Sequence, residues 1–115
     1  MSFRPDPKPA KRVRDKKLTR LLHTRGVICV LCGKPGSLHH IAKHPRHDVP
    51  ENLAGLCGDG VSGHHGLIES GDLDTRRLFG EYLAEQRPDT IFWVQETMGE
   101  EEGNEWLRLR YFVEI

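Results

Sequence analysis

The chain has 115 residues, 37% of them hydrophobic and 30% charged, a length and mix that suit one globular domain with a modest core. No apolar run approaches the roughly 20 residues of a membrane span, so a membrane-embedded role is excluded as an expectation. The formal net charge of +0 hides a division: residues 1–47 carry 12 Lys or Arg against 2 Asp or Glu, and residues 48–115 carry 5 against 15.

A basic half beside an acidic half points to nucleic acid as the partner of the basic half. Ion pairing between the halves is the plain alternative. The basic start has no apolar stretch of the kind a signal peptide needs. Residues 1–10, with Pro5, Pro7 and Pro9 among polar residues, predict an extended, flexible arm. Residues 11–26 predict a basic helix that ends at Gly26. Val13, Leu18, Leu21 and Leu22 give it a thin apolar stripe. Lys11, Arg12, Arg14, Lys16, Lys17, Arg20 and Arg25 are its candidate contacts to DNA phosphate, against the simpler role of a solvated face.

Cys29-Val-Leu-Cys32-Gly33 then reads as a tight knuckle. Residues 37–42 and 52–56 predict two short strands. The loop between them, residues 43–51, carries His44, Arg46 and His47, with Arg46 a further phosphate candidate. Residues 58–63 (GDGVSG) form a glycine-rich turn, and His64 to Ser70 a short helix. Asp72 or Asp74 caps a further helix reaching Gln86, with Leu73, Leu78, Tyr82 and Leu83 on its apolar face and Pro88 as its stop. Ile91 to Val94 and Trp106 to Val113 predict a terminal β-hairpin. The alternation of Leu107, Leu109, Tyr111 and Val113 with Arg108 and Arg110 supports it, and the turn from Gly99 to Glu105 is acidic.

Two constellations carry chemistry. Cys29, Cys32, Cys57 and His64 supply four soft donors in two pairs, a set that suits a tetrahedral, structural Zn²⁺. An odd cysteine count and a CxxC fit a reducing, cytoplasmic compartment, where such a pair does metal or redox chemistry. The spacing leaves open whether His64 or its neighbour His65 is the fourth ligand. Outside this set stand His39, His40, Asn52, His65 and Glu69.

The succession LHHI, PENL, LC and HHGLIE resembles the HNH, or ββα-metal, endonuclease family, and within it the zinc-containing phage-type members, over residues 27–70. The resemblance implies an α+β fold: a small ββα-metal (His-Me finger) core with a zinc knuckle, preceded by the basic helix and followed by residues 71–115 as a helix and hairpin extension. It implies a phosphodiester hydrolase acting on DNA, double-stranded as the expected form. His40 would be the general base, Asn52 the brace of the base-bearing loop, and His39 and His65 ligands of a catalytic ion. Glu69 stands where members that lack a structural zinc often have another His, a departure from the pattern. Positions i and i+4 share a helix face, so Glu69 can join His65 on one ion, and its harder oxygen favours Mg²⁺ or Mn²⁺; a solvent-facing Glu69 is the alternative. Adjacent strand residues face opposite ways, so His39 and His40 can share a phosphate only if the strand twists, bulges or ends there. Two other functions compete: a non-catalytic zinc module that binds nucleic acid, and an accessory subunit of a DNA-processing (phage packaging) machine that docks through the acidic C-terminal turn.

Overall fold

The computed structural model describes residues 12–43 and 46–115; the expected arm over residues 1–10, and Lys11, lie outside them. The protein is a mixed α+β fold. In chain order it runs α1 (Lys16–Arg25), β1 (Gly36–His40), one 3₁₀ turn (Pro50–Asn52), β2 (Leu53–Cys57), α2 (Gly63–Ser70), α3 (Leu73–Gln86), α4 (Pro88–Met98) and α5 (Glu100–Tyr111). No helix among the described residues is long and apolar enough to cross a membrane.

The two strands pair antiparallel, with His39 opposite Ala54 and His40 opposite Leu53. β1 ends at His40. α2 packs against both strands, and the core gathers Ile41, Leu56 and Ile68 with Phe79, Leu83, Val94, Leu107 and Tyr111. A two-stranded ribbon is marginal alone, so this helical cover is what stabilises it.

The basic helix is shorter than expected. Asp15 caps it by accepting the Leu18 amide at 3.0 Å. Residues 12–15 are extended and lie along the loop before β2: the Val13 amide donates to His47 Nδ1, and the Asp48 amide to the Val13 carbonyl, both at 2.8 Å. Val13 is 47% exposed, not part of a buried stripe. On α3 the buried positions are Thr75, Phe79, Gly80 and Leu83, while Leu73 and Leu78 are exposed. Spacing by four, from Thr75 through Phe79 to Leu83, sets that face.

The expected β-hairpin over residues 91–113 does not exist; the segment is the helical hairpin α4–α5. Pro88, expected only to stop α3, also occupies the first turn of α4, where its missing N–H has no cost. Gly103, Leu107 and Tyr111 recur every four residues on the buried face of α5, and Leu109, which the alternation placed beside Leu107, is 74% exposed. Gly99, at φ 92°, turns the chain between the two helices. Glu100, Glu101 and Glu102 then fall in the first turn of α5, where the helix dipole favours negative charge. Arg108 and Arg110 lie in its last turn. Period four and terminal charge outweigh a short run of period two.

A substitution pair distinguishes helix from strand here. Leu107→Ala should cost about 2–5 kcal/mol in chemical denaturation, and Leu109→Ala should stay within about 0.5 kcal/mol. Equal, large costs at both positions would contradict the helix.

Candidate metal centres

The glycine-rich turn brings the first constellation together. Gly58 and Gly63 adopt φ of 78° and 65°, and Asp59 Oδ1 accepts the amides of Val61 and Ser62, so the chain doubles back from Cys57 to the start of α2. The donor atoms of Cys29, Cys32, Cys57 and His64 all lie within 4.8 Å of one another. His64 Nδ1 is 3.4 Å from both Cys29 Sγ and Cys57 Sγ. Bonds of about 2.3 Å to sulfur and about 2.1 Å to nitrogen place such atoms about 3.6 Å apart around a tetrahedral zinc, so the quartet fits that ion. Burial would raise the Cys29 thiol, but hydrogen bonds from the backbone of Cys57 and Leu31 and from His64 bring it down to about 6. A thiol that ionises this readily is prepared to bind metal.

His64 and His65 part company because successive helix residues diverge by about 100°. His64 faces the cysteines; His65 faces His39 and Glu69, and this second trio also holds its donor atoms within 4.8 Å. His39 is fully buried, edge-on to His65, Phe79 and Tyr111.

Two hydroxyls decide where the protons of these imidazoles lie. Tyr111 Oη donates to the Ile41 carbonyl at 2.8 Å, so only its lone pairs remain for His39 Nε2, 3.1 Å away. Ser37 Oγ likewise donates to the Gly58 carbonyl at 2.8 Å and accepts from His65 Nδ1 at 2.6 Å. Burial lowers His39 to about 4 and lowers His65 as well, so each ring is neutral with a single proton, taken up by these hydroxyls. His39 Nδ1 and His65 Nε2 are therefore bare. They face the same oxygen, Glu69 Oε1, at 3.3 and 3.5 Å. The Lys43 ammonium meets Oε2, so the Glu69 carboxyl is ionised. Three electron pairs thus converge with no hydrogen between them, and His39 Nδ1 is buried without a hydrogen-bond partner among the described residues. Such a set repels itself unless a cation lies among it.

His40 is not in this trio. Its Nε2 donates to Asp48 Oδ1 at 2.7 Å, on the side of β1 away from His39. Its Nδ1 is buried with no partner among the described residues. Asn52, also fully buried, clamps the ends of the intervening loop: its Oδ1 accepts the Ala42 amide at 2.7 Å, and its Nδ2 donates to the carbonyls of Ala42 and His47 at 2.9 Å.

Arg12, Arg14, Lys16, Lys17, Arg20, Arg25 and Arg46 are all exposed, and among the described residues none forms an ion pair. Among the described residues, the only pair of fully charged groups between the two halves is Lys43 with Glu69. Pairing among the described residues therefore leaves most of the charge division unaccounted for.

Ser37, Lys43, Asp48 and Tyr111 contact the candidate residues and carry no motif. Ser37 had a signal, since it lies two residues before His39 on β1. Asp48 was an acid in a loop already marked for its histidines. Tyr111, more than seventy residues from His39, had none. Family models, curated proteins and solved structures were all compared with the chain, and none matches.

A structural zinc held by the cysteine cluster would make folding depend on metal. The purified protein should carry one tightly held zinc, and a strong chelator should abolish its cooperative thermal transition. Cys57→Ser should lose both the zinc and the transition. A chelated protein with an unchanged transition would contradict a structural role for this cluster.

Proposed function

We propose that the protein is a metal-dependent endonuclease of the HNH, or ββα-metal, type that hydrolyses DNA phosphodiester bonds. The observation that carries this reading is the convergence of bare His39 Nδ1, bare His65 Nε2 and ionised Glu69 on one point. Mixed nitrogen and carboxylate donors suit Mg²⁺ or Mn²⁺ less tightly than zinc suits the thiolates, so the two sites would sort different ions. When bound there, a divalent cation supplies charge stabilisation to the scissile phosphate and its leaving oxygen.

The chain's own residues do the rest. His39 and His65 stay neutral because they are buried, and Tyr111 and Ser37 hold their rings in the ligating tautomer. His40 offers a neutral imidazole whose Nδ1 can take a proton from the attacking water. Because Nδ1 is buried, cutting requires that bound DNA uncover it. β1 ends at His40, so a phosphate lying over the strand's end has the trio on one side and the base on the other. Asn52 keeps the loop that frames this end in place. The exposed cations from Arg12 to Arg25, with Arg46, provide phosphate contacts that position the duplex without reading its sequence.

The unpaired cations also support a second reading, a zinc-stapled module that binds nucleic acid without cutting it. Plasmid cleavage in Mg²⁺ and Mn²⁺ separates the two. The wild type should nick or cut, and His40→Ala should slow cutting by about 10²-fold or more while binding DNA as before. Replacing Lys16, Lys17 and Arg20 together by Gln should weaken binding and flatten its salt dependence. Salt-dependent binding without cleavage in either metal would favour the second reading; undiminished cutting by His40→Ala would overturn the assigned mechanism.

A further inference from the structure

We propose that Asp48 is a positioning residue that fixes the tautomer of His40 and, through its second oxygen, ties that imidazole to the entry of the basic helix. The inference rests on the nuclease reading only for its catalytic consequence; the geometry stands by itself.

Asp48 is 7% exposed and spends both carboxylate oxygens on protein donors. Oδ1 accepts from His40 Nε2 at 2.7 Å. Oδ2 accepts from the backbone amide of Asp15, the capping residue of α1, at 3.0 Å. An ionised carboxylate has only acceptors, so His40 must place its proton on Nε2 and leave Nδ1 bare. The base-bearing side of the ring is thereby chosen, as the hydroxyls choose it for His39 and His65.

The same contact lies within a wider seam. Arg12 Nε donates to the Arg46 carbonyl, and Val13 donates to His47 Nδ1 and accepts from the Asp48 amide. Asn52 holds the His47 carbonyl from the other side. The loop between the strands is thus pinned between Asn52 and the segment leading into the cationic helix. Asp48 is the point where that seam reaches His40.

A carboxylate is required because two N–H donors face it. Asn is isosteric but has one acceptor oxygen. If its oxygen takes the Asp15 amide, its NH₂ confronts His40 and forces the proton to Nδ1. If its oxygen takes His40, its NH₂ confronts the Asp15 amide and loosens the seam. Asp48→Asn should take the first course, because the Asp15 amide is fixed by the helix while the ring can exchange its proton with water.

Long-range ¹H–¹⁵N spectra of the zinc-loaded protein read imidazole tautomers directly and need no cleavage. In the wild type, His40 should be protonated at Nε2. In Asp48→Asn it should shift to Nδ1, with the remaining histidine signals and the thermal transition unchanged. In cleavage assays the same variant should lose roughly 10²-fold or more in kcat with little change in KM. The double variant Asp48→Asn with His40→Ala should be no slower than His40→Ala alone, because Asp48 acts through that ring. A wild-type His40 protonated at Nδ1, or a tautomer indifferent to Asp48→Asn, overturns the assignment of Asp48. The predicted tautomers in a protein that cuts no DNA in either metal overturn the nuclease reading and leave Asp48 as the residue that sets the ring. Additive losses in the double variant overturn action through His40.

Discussion

Buried polar groups must be satisfied without water, and in this protein that constraint meets at Tyr111. The phenol is fully buried, against Phe79 and Trp106, where an unpartnered hydroxyl would be costly. Its proton goes to the Ile41 carbonyl, just past the end of β1, and its lone pair to His39. Its own carbonyl oxygen lies where any side chain at Gly80 would collide, so α5 packs backbone to backbone on α3. One residue at the end of the last helix therefore locks the helical hairpin to the ribbon and orients the imidazole at the centre of the trio. Fold and candidate site are joined through the same hydroxyl.

The cysteine cluster provides a second, independent constraint. It ties the knuckle at Cys29 and Cys32 to the end of β2 and the first turn of α2. With His64 drawn to the cysteines, the helical rotation leaves His65 and Glu69 facing His39. A sulfur-rich quartet and a nitrogen–oxygen trio thus stand one residue apart on the same helix, with different donor chemistry. The basic segment is held on the far side of β1 by the seam through Asp48. The basic segment, His40 and the trio are each anchored to the short ribbon by a different contact.

Much of this was legible in the residues. The two strands, α2 and the end of α3 fall within two positions of their expected bounds, because glycines, caps and prolines mark them. The cysteine quartet and the trio are motif-spaced, and the fold gathers the donor atoms of each, including Glu69 at i+4 from His65. The C-terminal hairpin was misjudged because Leu107, Leu109, Tyr111 and Val113 alternate over a run too short to decide. The period of four through Gly103, Leu107 and Tyr111 includes a glycine that carries no hydrophobic signal but is needed where α5 approaches the backbone of Gln95. On α3 the face expected from Leu73, Leu78, Tyr82 and Leu83 gives way to one through Thr75, Phe79 and Leu83, with Leu73 and Leu78 exposed. Hydrogen-bond partners such as Tyr111 and Asp48 depend on tertiary contacts that no local pattern records.

The central proposal is that His39, His65 and Glu69 form a cation site because Tyr111 and Ser37 hold each ring's proton on the nitrogen away from the carboxylate. Crystals of the zinc-loaded protein soaked in Mn²⁺ test it most directly, by anomalous scattering at an energy that distinguishes manganese from zinc. The account predicts a manganese peak bonded to His39 Nδ1, His65 Nε2 and Glu69, separate from the zinc among the cysteines. No manganese at the trio, with Glu69 hydrogen-bonded instead to a protonated imidazole, would contradict it.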